Sequence, residues 1–315
     1  MSNMTVSYAP HIRDKITTSR IMLDVIIALC PAIIASIVIF GPRAALIIAI
    51  CVGACIFFEW AFEKALNRKN TINDFSAIVT GILLAFNLPA TLPIWQVIFG
   101  CFVAIVFVKQ LFGGIGKNFA NPAITARIVL FLAFSATMTT WVLPGAVPVI
   151  LPPDIVTGAT PLAVMFKGGQ MPGLVDLFLG KHGGCLGETS ELALLLGGLY
   201  LVIRRVITWH APVAYIGTVY ILIALISGDM FLFPLQHIFS GGLFLGAIFM
   251  ATDYVTTPMT KSGRFIFGLG AGVLTVLIRL YGSYPEGVSF SILFLNVLVP
   301  FINKLTAKKA LGGLK

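Results

Sequence analysis

The sequence predicts an all-α polytopic membrane protein of about ten transmembrane helices, arranged as two inverted repeats of five helices. Three observations predict this fold. The 315-residue chain is 58% hydrophobic and only 10% charged, whereas an ordinary soluble domain carries about 25% charged residues. Long apolar runs recur along the chain, and the excess of basic over acidic residues, 21 to 12, falls mostly on one set of loops. A water-soluble globule, a disordered chain and a disulfide scaffold are therefore excluded.

Ten apolar runs are candidate spans, because crossing a bilayer takes about 20 mostly apolar residues. In the first half they cover residues 21–40, 44–62, 75–88, 94–112 and 122–139. In the second half they cover residues 191–204, 210–227, 232–251, 265–281 and 288–303. The runs at 75–88 and 191–204 are short, because they stop at a proline and at an arginine pair.

The loops between the spans predict the orientation. Residues 1–20 are polar, and no small-residue cleavage site follows the first apolar run, so they are expected to be a cytoplasmic tail rather than a signal peptide. Ten spans then place residues 304–315 inside as well, and basic residues divide 17 inside to 4 outside. This positive-inside bias explains the net charge of +9 without a nucleic-acid partner.

Five spans on either side of residues 140–190 predict a duplicated unit. The first repeat covers 21–139, the extracytoplasmic loop 140–190, and the second repeat 191–303. An odd number of spans per unit makes the two copies face opposite ways. A weak internal similarity between the stretches that begin at Pro93 and Pro234 agrees with a duplication.

Two polar segments interrupt the apolar runs: GGIGKNFANP at residues 113–122 and ATDYVTTP at residues 251–258. Lipid cannot satisfy non-helical backbone, so such segments line a cavity or lie within protein. They predict a central binding site, and free N–H groups at the helix starts after Pro122 and Pro258 are expected to face a polar or anionic ligand. The alternative, that both are ordinary cytoplasmic turns, stays open. The candidate contact residues are Lys117, Asn118, Asn121, Thr252, Asp253 and Thr256.

The other polar residues in the spans do not predict a metal site, a nucleotide site or a catalytic group. Glu59 and Asp24 lie near cytoplasmic helix ends, where local pairing or snorkelling is expected. The five cysteines form no C-x-x-C pair and no His-containing ligand set, so no metal site is predicted. No P-loop or dinucleotide-binding turn is present, and no side chain is predicted to be a catalytic acid or base.

The outer loop contains the sequence Asp154-Ile-Val-Thr157-Gly158-Ala159-Thr160. It matches the flavinylation motif D-x-x-[ST]-G-A-T, whose last threonine takes FMN through a phosphoester bond. Small residues at 158 and 159 suit a backbone that a modifying enzyme can approach. A plain Gly-Ala turn is the alternative.

Beyond this motif, the chain resembles the RnfD/NqrB family across nearly its whole length. The likeness rests on residues 87–95, 112–123, 247–253, 284–287 and 296–297. Members of the NqrB type usually carry a longer N-terminal extension than the 20 or so residues that precede the first span here, so RnfD is the closer match.

The resemblance implies a subunit of the Rnf complex, an ion-translocating ferredoxin:NAD⁺ oxidoreductase of a bacterial or archaeal cytoplasmic membrane. It implies ten helices in an architecture similar to urea and ammonium transporters, covalent FMN on Thr160 and a non-covalent riboflavin between the repeats. Asp154 and Thr157 would be recognised by a flavin transferase, and the six candidate contact residues would face riboflavin or an ion. The implied partners are membrane lipid and the subunits RnfA, RnfB, RnfC, RnfE and an RnfG-like protein.

Three rival functions stay open. One is an NqrB-type subunit of a Na⁺-translocating NADH:quinone oxidoreductase, which the short N-terminus disfavours. Another is a urea/ammonium-type solute transporter, and the last is a membrane scaffold. Neither of these two needs the motif at residues 154–160.

Overall fold

The structure is a computed structural model that describes residues 17–68, 70–145, 147–150, 157–166, 169, 171–282 and 286–307. Within these ranges the chain is helical, and its one ladder contact is an isolated antiparallel bridge between Val142 and Thr157. The predicted all-α class is confirmed for the described residues.

The helices follow the predicted apolar runs in order. The first half and the segment after it contain α1 (Thr18–Phe40), α2 (Pro42–Ala65), α3 (Ser76–Phe86), α4 (Ile94–Phe102), α5 (Pro122–Ala133), α6 (Ser135–Met138), α7 (Pro161–Phe166) and α8 (Leu174–Leu179). The second half contains α9 (Glu191–Ile203), α10 (His210–Ser227), α11 (Leu232–Ile238), α12 (Leu243–Leu245), α13 (Lys261–Tyr281) and α14 (Val288–Thr306). A 3₁₀ turn covers Ile72–Asp74.

Two π-helical stretches continue helices of the bundle. Val103–Gln110 continues α4, and Gly246–Met250 continues α12. Each leads directly into one of the two polar segments predicted to interrupt the membrane helices. Such wide turns are rare and occur mostly at functional sites.

Among the described residues, five helices are long and apolar enough to cross a membrane singly: α1, α2, α10, α13 and α14. Residues Leu232–Met250 make a sixth span if their two parts, bent by 63°, are counted together. The other four predicted spans coincide with shorter apolar helices of 10–17 residues. A multi-pass helical protein is therefore confirmed, whereas the count of ten spans and the inverted repeat stay predictions.

Helices pack closely where glycine faces a neighbour. Gly197 of α9 lies so near α1 that a Cβ atom there would be 2.1 Å from the carbonyl oxygen of Ala28. Gly81 of α3 lies similarly close to the backbone of α2. The approach at Gly197 joins the two halves, and the approach at Gly81 packs two helices of the first half together.

The bundle has two ends, which we define by α1. The start end is where α1 begins, and the loop end is where α1 finishes and where Gly145 and Val147 bond to it. Gly145 N donates to the carbonyl oxygen of Ile39 at 2.9 Å, and Val147 N donates to that of Phe40 at 3.1 Å. The described residues around Gly145 and Val147 therefore pack at the loop end.

Candidate functional site

A cavity of about 420 Å³ opens at the start end of the bundle. Residues from the beginning of α1, such as Thr18 and Val25, form one wall, and Val79 and Leu83 of α3 form another. Both polar segments reach it, at residues 115–123 and 252–255. The structure therefore brings together the two segments that the sequence singled out.

Asn121 anchors the first polar segment. Its Oδ1 accepts hydrogen bonds from Ala123 N at 3.1 Å and Ile124 N at 3.3 Å, which caps the start of α5. In the amide orientation that satisfies both groups, Asn296 of α14 accepts from Asn121 N at 3.1 Å and donates to the carbonyl oxygen of Thr256 at 3.0 Å. Asn296 thus ties the two polar segments together.

Asp253 and Thr256 define the second polar segment. Thr256 Oγ1 donates to Asp253 Oδ2 at 3.1 Å, and Thr252 Oγ1 donates to the carbonyl oxygen of Ile248 at 2.5 Å. Burial raises the pKa of the Asp253 carboxyl, and the bond from Thr256 opposes that rise. A polar edge of amides, hydroxyls and one carboxyl therefore borders an otherwise largely apolar cavity.

The expectation that the helix starts after Pro122 and Pro258 offer free N–H groups is wrong for the first turn of α5 and for one N–H group in the first turn of α13. Asn121 occupies two such groups at α5. The helix after Pro258 begins at Lys261, and Thr260 Oγ1 accepts from Gly263 N at 3.0 Å. The side chains of Asn121 and Thr260, which precede the two helices, thus cap N–H groups in the first turns.

Four of the six candidate contact residues line the cavity: Asn118, Asn121, Thr252 and Asp253. Thr256 is buried behind them against Asp253. Lys117 is exposed, and its side chain lies over Gly113 rather than in the cavity wall.

The basic residue at the cavity is Lys109, which the sequence alone groups with the cytoplasmic loop charges. Its Nζ lies 2.8 Å from both carboxylate oxygens of Glu59 and 2.6 Å from Ser76 Oγ. Gln110 Nε2 donates to the same carboxylate at 3.0 Å. Glu59 is fully buried, so the predicted local pairing of this residue is confirmed. The signal that could have found Lys109 is its place in an apolar run that ends at a polar break.

A second buried network lies between the two halves, and we call it the arginine cluster. Its centre is Arg127 of α5, whose guanidinium bonds Glu188 Oε1 at 2.7 Å, Asn87 Oδ1 at 2.9 Å and Ser289 Oγ at 3.1 Å, and also contacts Glu286. From the sequence, Arg127 counts as a cytoplasmic charge and Glu286 as a solvated loop residue. They are ion-pair partners instead: Arg127 is buried, and the Glu286 side chain is 20% exposed.

Opposing effects act on the pKa of Glu286. Burial and the nearby carboxylate of Glu188 raise the pKa of Glu286 to about 7, although Arg127 and Arg279 act to lower it.

The flavinylation-like segment lies at the loop end. Asp154 falls outside the described residues, whereas residues 157–160 are described. Gly158 N donates to the carbonyl oxygen of Trp141 at 3.0 Å. Thr160 is 5% exposed, and its Oγ1 accepts a hydrogen bond from Ala163 N at 3.2 Å. Of its neighbours, Thr157 is exposed.

The cavity and Thr160 thus lie at opposite ends of the bundle. The cavity is lined by the first turns of α1. The segment that carries Thr160 contacts Trp141 and Leu143, which shortly precede the residues that bond to the last turn of α1. The 23 residues of α1 correspond to a rise of about 34 Å.

Comparisons with known proteins find relatives that match nearly the full length. Residues 5–312 match the model of the NQR2, RnfD, RnfE family. The chain is 46% identical to the D component of the Na⁺-translocating ferredoxin:NAD⁺ oxidoreductase complex of Acetobacterium woodii, over 99% of this chain and 96% of that protein. It is 43% identical to the D component of the proton-translocating complex of Clostridium ljungdahlii, over 98% and 96%. It is also 38% identical to the D component of the ion-translocating oxidoreductase complex of Stutzerimonas stutzeri, over 94% and 92%.

Proposed function

This chain belongs to the NQR2, RnfD, RnfE family, and from that we propose that it is the RnfD-type membrane subunit of an ion-translocating ferredoxin:NAD⁺ oxidoreductase. The observation that carries the proposal is the similarity to relatives of that name over 94% or more of this chain. The same names favour this function over a quinone-reducing NqrB-type subunit and over a solute transporter.

In this proposal the chain works as one part of a redox-driven translocase in a bacterial or archaeal cytoplasmic membrane. Its partners are the subunits RnfA, RnfB, RnfC, RnfE and an RnfG-like protein. The ten apolar helical segments cross the membrane as two inverted repeats, with both termini in the cytoplasm and residues 140–190 outside. A π-helical stretch in each half, at the entry to a polar segment, agrees with a repeated unit.

We place covalent FMN on Thr160, attached by a flavin transferase that reads Asp154 and Thr157. The hydroxyl of Thr160 has a single described hydrogen bond, from Ala163 N, which leaves the oxygen able to form a phosphoester. Because Thr160 is nearly buried, attachment requires residues 157–166 to move outward from the bundle. FMN supplies the redox chemistry when bound, and the chain positions it.

We place riboflavin in the cavity at the start end, on three grounds. A volume of about 420 Å³ lies within the range of small-molecule sites. Asn118, Asn121 and Thr252 border it and can hydrogen-bond a ring system that carries amide-like groups. The ammonium of Lys109 is neutralised by Glu59, which suits an uncharged flavin better than a phosphate.

These placements give the chain two flavins at opposite ends of one bundle. The chain would then relay electrons between the extracytoplasmic and the cytoplasmic side of the complex. Coupling of this relay to Na⁺ or H⁺ movement belongs to the complex as a whole.

The test is flavin analysis of the complex purified from cells that contain the flavin transferase. We expect the wild-type subunit to fluoresce in a denaturing gel and to release riboflavin on denaturation. Thr160→Ala should be dark in the gel yet release the same riboflavin, because the cavity lies at the other end of the bundle. Thr157→Ser keeps the motif and is the matched control, which should fluoresce.

A fluorescent Thr160→Ala band would contradict the attachment site. A dark wild-type band, with the transferase active on another substrate, would contradict covalent FMN altogether. Absence of released riboflavin from wild type and variant alike would contradict the cavity assignment.

A further inference from the structure

Glu191 is a buried carboxyl group that the proposed flavin relay does not use. It is the first residue of α9 and is 0% exposed. Neither of its carboxylate oxygens has a hydrogen-bond partner among the described residues. An ionised carboxylate in that position would be unpaired and shielded from water, which strongly favours the neutral acid.

The nearest charges do not pair with Glu191. Arg279 and Glu188 are the charged groups that act on it. The terminal nitrogens of Arg279 donate to the carbonyl oxygens of His237 at 2.5 Å and Ser240 at 2.9 Å. Glu188 is held by Arg127 at 2.7 Å. Both neighbours are thus bound elsewhere, although Arg279 Nε has no described partner.

The charges of this region do not balance without a proton. Two guanidinium groups, Arg127 and Arg279, face three carboxyl groups, Glu188, Glu191 and Glu286. If all were ionised, one negative charge would be left over in a buried volume. One proton held by the carboxyl groups removes it.

The surrounding histidines do not supply the missing positive charge. Burial lowers the pKa of the His182 imidazole. His237 has no described hydrogen-bond partner on either ring nitrogen, and its carbonyl oxygen accepts from Arg279, so an imidazolium there would be a buried, unpaired charge beside another cation. The neighbouring α8 contributes Asp176, which is half-exposed and lies 4.0 Å from Lys181. Of the two charged residues of α1, Arg20 lies in the first turn, and Asp24 pairs with Arg204 near the start end.

A metal cation fits this place poorly. Hard cations take several oxygen ligands at once, and within the described part of the chain no three His, Cys, Asp or Glu side chains are grouped to hold a metal ion. The carboxylate that lacks partners stands beside an arginine, whose charge repels a cation.

We propose that Glu191 is a proton-binding site of the membrane subunit. Its side chain is a neutral carboxylic acid at the start of α9, beside the arginine cluster. The proton sits on Glu191 because Glu188 and Glu286 each form an ion pair with Arg127, whereas Glu191 forms no hydrogen bond or ion pair with Arg279 or with any other described residue. This proposal does not depend on flavin at Thr160 or on riboflavin in the cavity.

The site is placed to respond to charge at the flavinylation-like segment. Leu162, two residues after Thr160, packs on Gly241, where an added Cβ would be 2.6 Å from Leu162 and 3.4 Å from Arg279. Gly242 in turn lies against Glu188. The turn at Ser240–Gly242 therefore separates the segment from the buried charges by a single layer of residues. A negative charge added there would strengthen the hold of Glu191 on its proton.

The test is infrared difference spectroscopy of the purified complex in ¹H₂O and ²H₂O. We expect the wild type minus Glu191→Gln spectrum to contain the carbonyl stretch of a protonated carboxyl group, shifted on deuteration. Asp176→Asn is the matched control, and it should remove only ionised carboxylate bands. Glu191→Asp, which keeps an acid, should shift the protonated band rather than abolish it and serves if the glutamine variant does not assemble.

Loss of ionised carboxylate bands in Glu191→Gln, or a shift of ionised rather than protonated bands in Glu191→Asp, would overturn the proposal. Bands that respond to NaCl but not to KCl would also overturn it, and would indicate a sodium site instead. A protonated band that is insensitive to NaCl and disappears only with Glu191 supports a proton site.

Discussion

At the scale of single residues, Arg127 shows how far a buried charge depends on distant partners. Glu188 and Glu286 lie 61 and 159 residues further along the chain. In the sequence Arg127 is a basic residue close to one end of an apolar run, so it resembles a loop charge. Arg127 meets Glu188 and Glu286 only in the folded protein, so the sequence alone does not indicate its role.

Replacing Arg127 by glutamine should destabilise the subunit strongly. Removing one partner of a buried ion pair costs about 3–5 kcal/mol, because the other charge is left uncompensated. We expect thermal unfolding of Arg127→Gln in detergent to begin at a clearly lower temperature than that of the wild type.

Arg204→Gln is the matched control for this variant. Arg204 also pairs with a carboxylate, Asp24, but its side chain is 42% exposed, and an exposed pair contributes about 0–1 kcal/mol. Equal losses in the two variants would contradict the central place given to Arg127.

Single residues were predictable from the sequence where a motif or a break marked them. Asn121 and Asp253 stand in polar segments within apolar surroundings, and both line the cavity. Lys117 carries the same sequence signal but points away, because the glycines around it turn the backbone at positive φ. Sequence position indicates which segment reaches a cavity, whereas the direction of a side chain depends on that local geometry.

At the scale of elements, the predicted apolar runs all correspond to helical segments, but their lengths differ. A hydropathy profile depends on amino-acid composition alone, whereas the end of a helix depends on local residues that stop the helical backbone, such as proline. The run predicted at 75–88 stops as α3 at Phe86, ahead of Asn87 and Pro89. The bend within Leu232–Met250 and the two π-helical stretches were likewise invisible to a count of apolar residues.

The close approach of α9 to α1 predicts a contrast between two glycines. A Cβ at Gly197 would lie 2.1 Å from a backbone oxygen of α1, whereas a Cβ at Gly217 of α10 would meet nothing within 4 Å. Overpacking costs about 1–3 kcal/mol, and glycine to alanine in an open helix gains up to about 1 kcal/mol. We expect Gly197→Ala to lower the unfolding temperature in detergent and Gly217→Ala to leave it unchanged or raise it.

Gly197 and Gly217 both stand within apolar runs, so their sequence context does not separate them. The approach of backbone to backbone distinguishes them. A Gly197→Ala protein as stable as the wild type would show that α9 and α1 can separate without cost.

At the scale of the whole molecule, the bundle separates two kinds of site. The cavity and Lys117 belong to the start end, and Thr160 and Lys181 belong to the loop end. The excess of basic residues in one set of loops predicts which end faces the cytoplasm. Four basic residues are buried, Lys109, Arg127, Arg43 and Arg279, and without them the excess still lies on the same side. The two-ended arrangement itself required the fold, because segment 140–190 had no predictable structure.

Cysteine labelling in intact cells tests this orientation. We expect a membrane-impermeant maleimide to label Lys181→Cys directly, and to label Lys117→Cys only after the membrane is opened. Both side chains are exposed, so access depends on the side of the membrane alone, and wild type reports background from Cys30. The reverse pattern would invert the topology, and labelling of both from outside would place the two ends on the same side.

The length of α1 has an electrical consequence. An electron passed from Thr160 to the cavity would cross most of the insulating layer, and moving one elementary charge through the membrane potential corresponds to about 2.3 kcal/mol per 100 mV. The transfer would therefore be electrogenic, with each electron leaving the inner face one charge more negative. Unless a cation accompanied it, such a relay would itself charge the membrane like a capacitor.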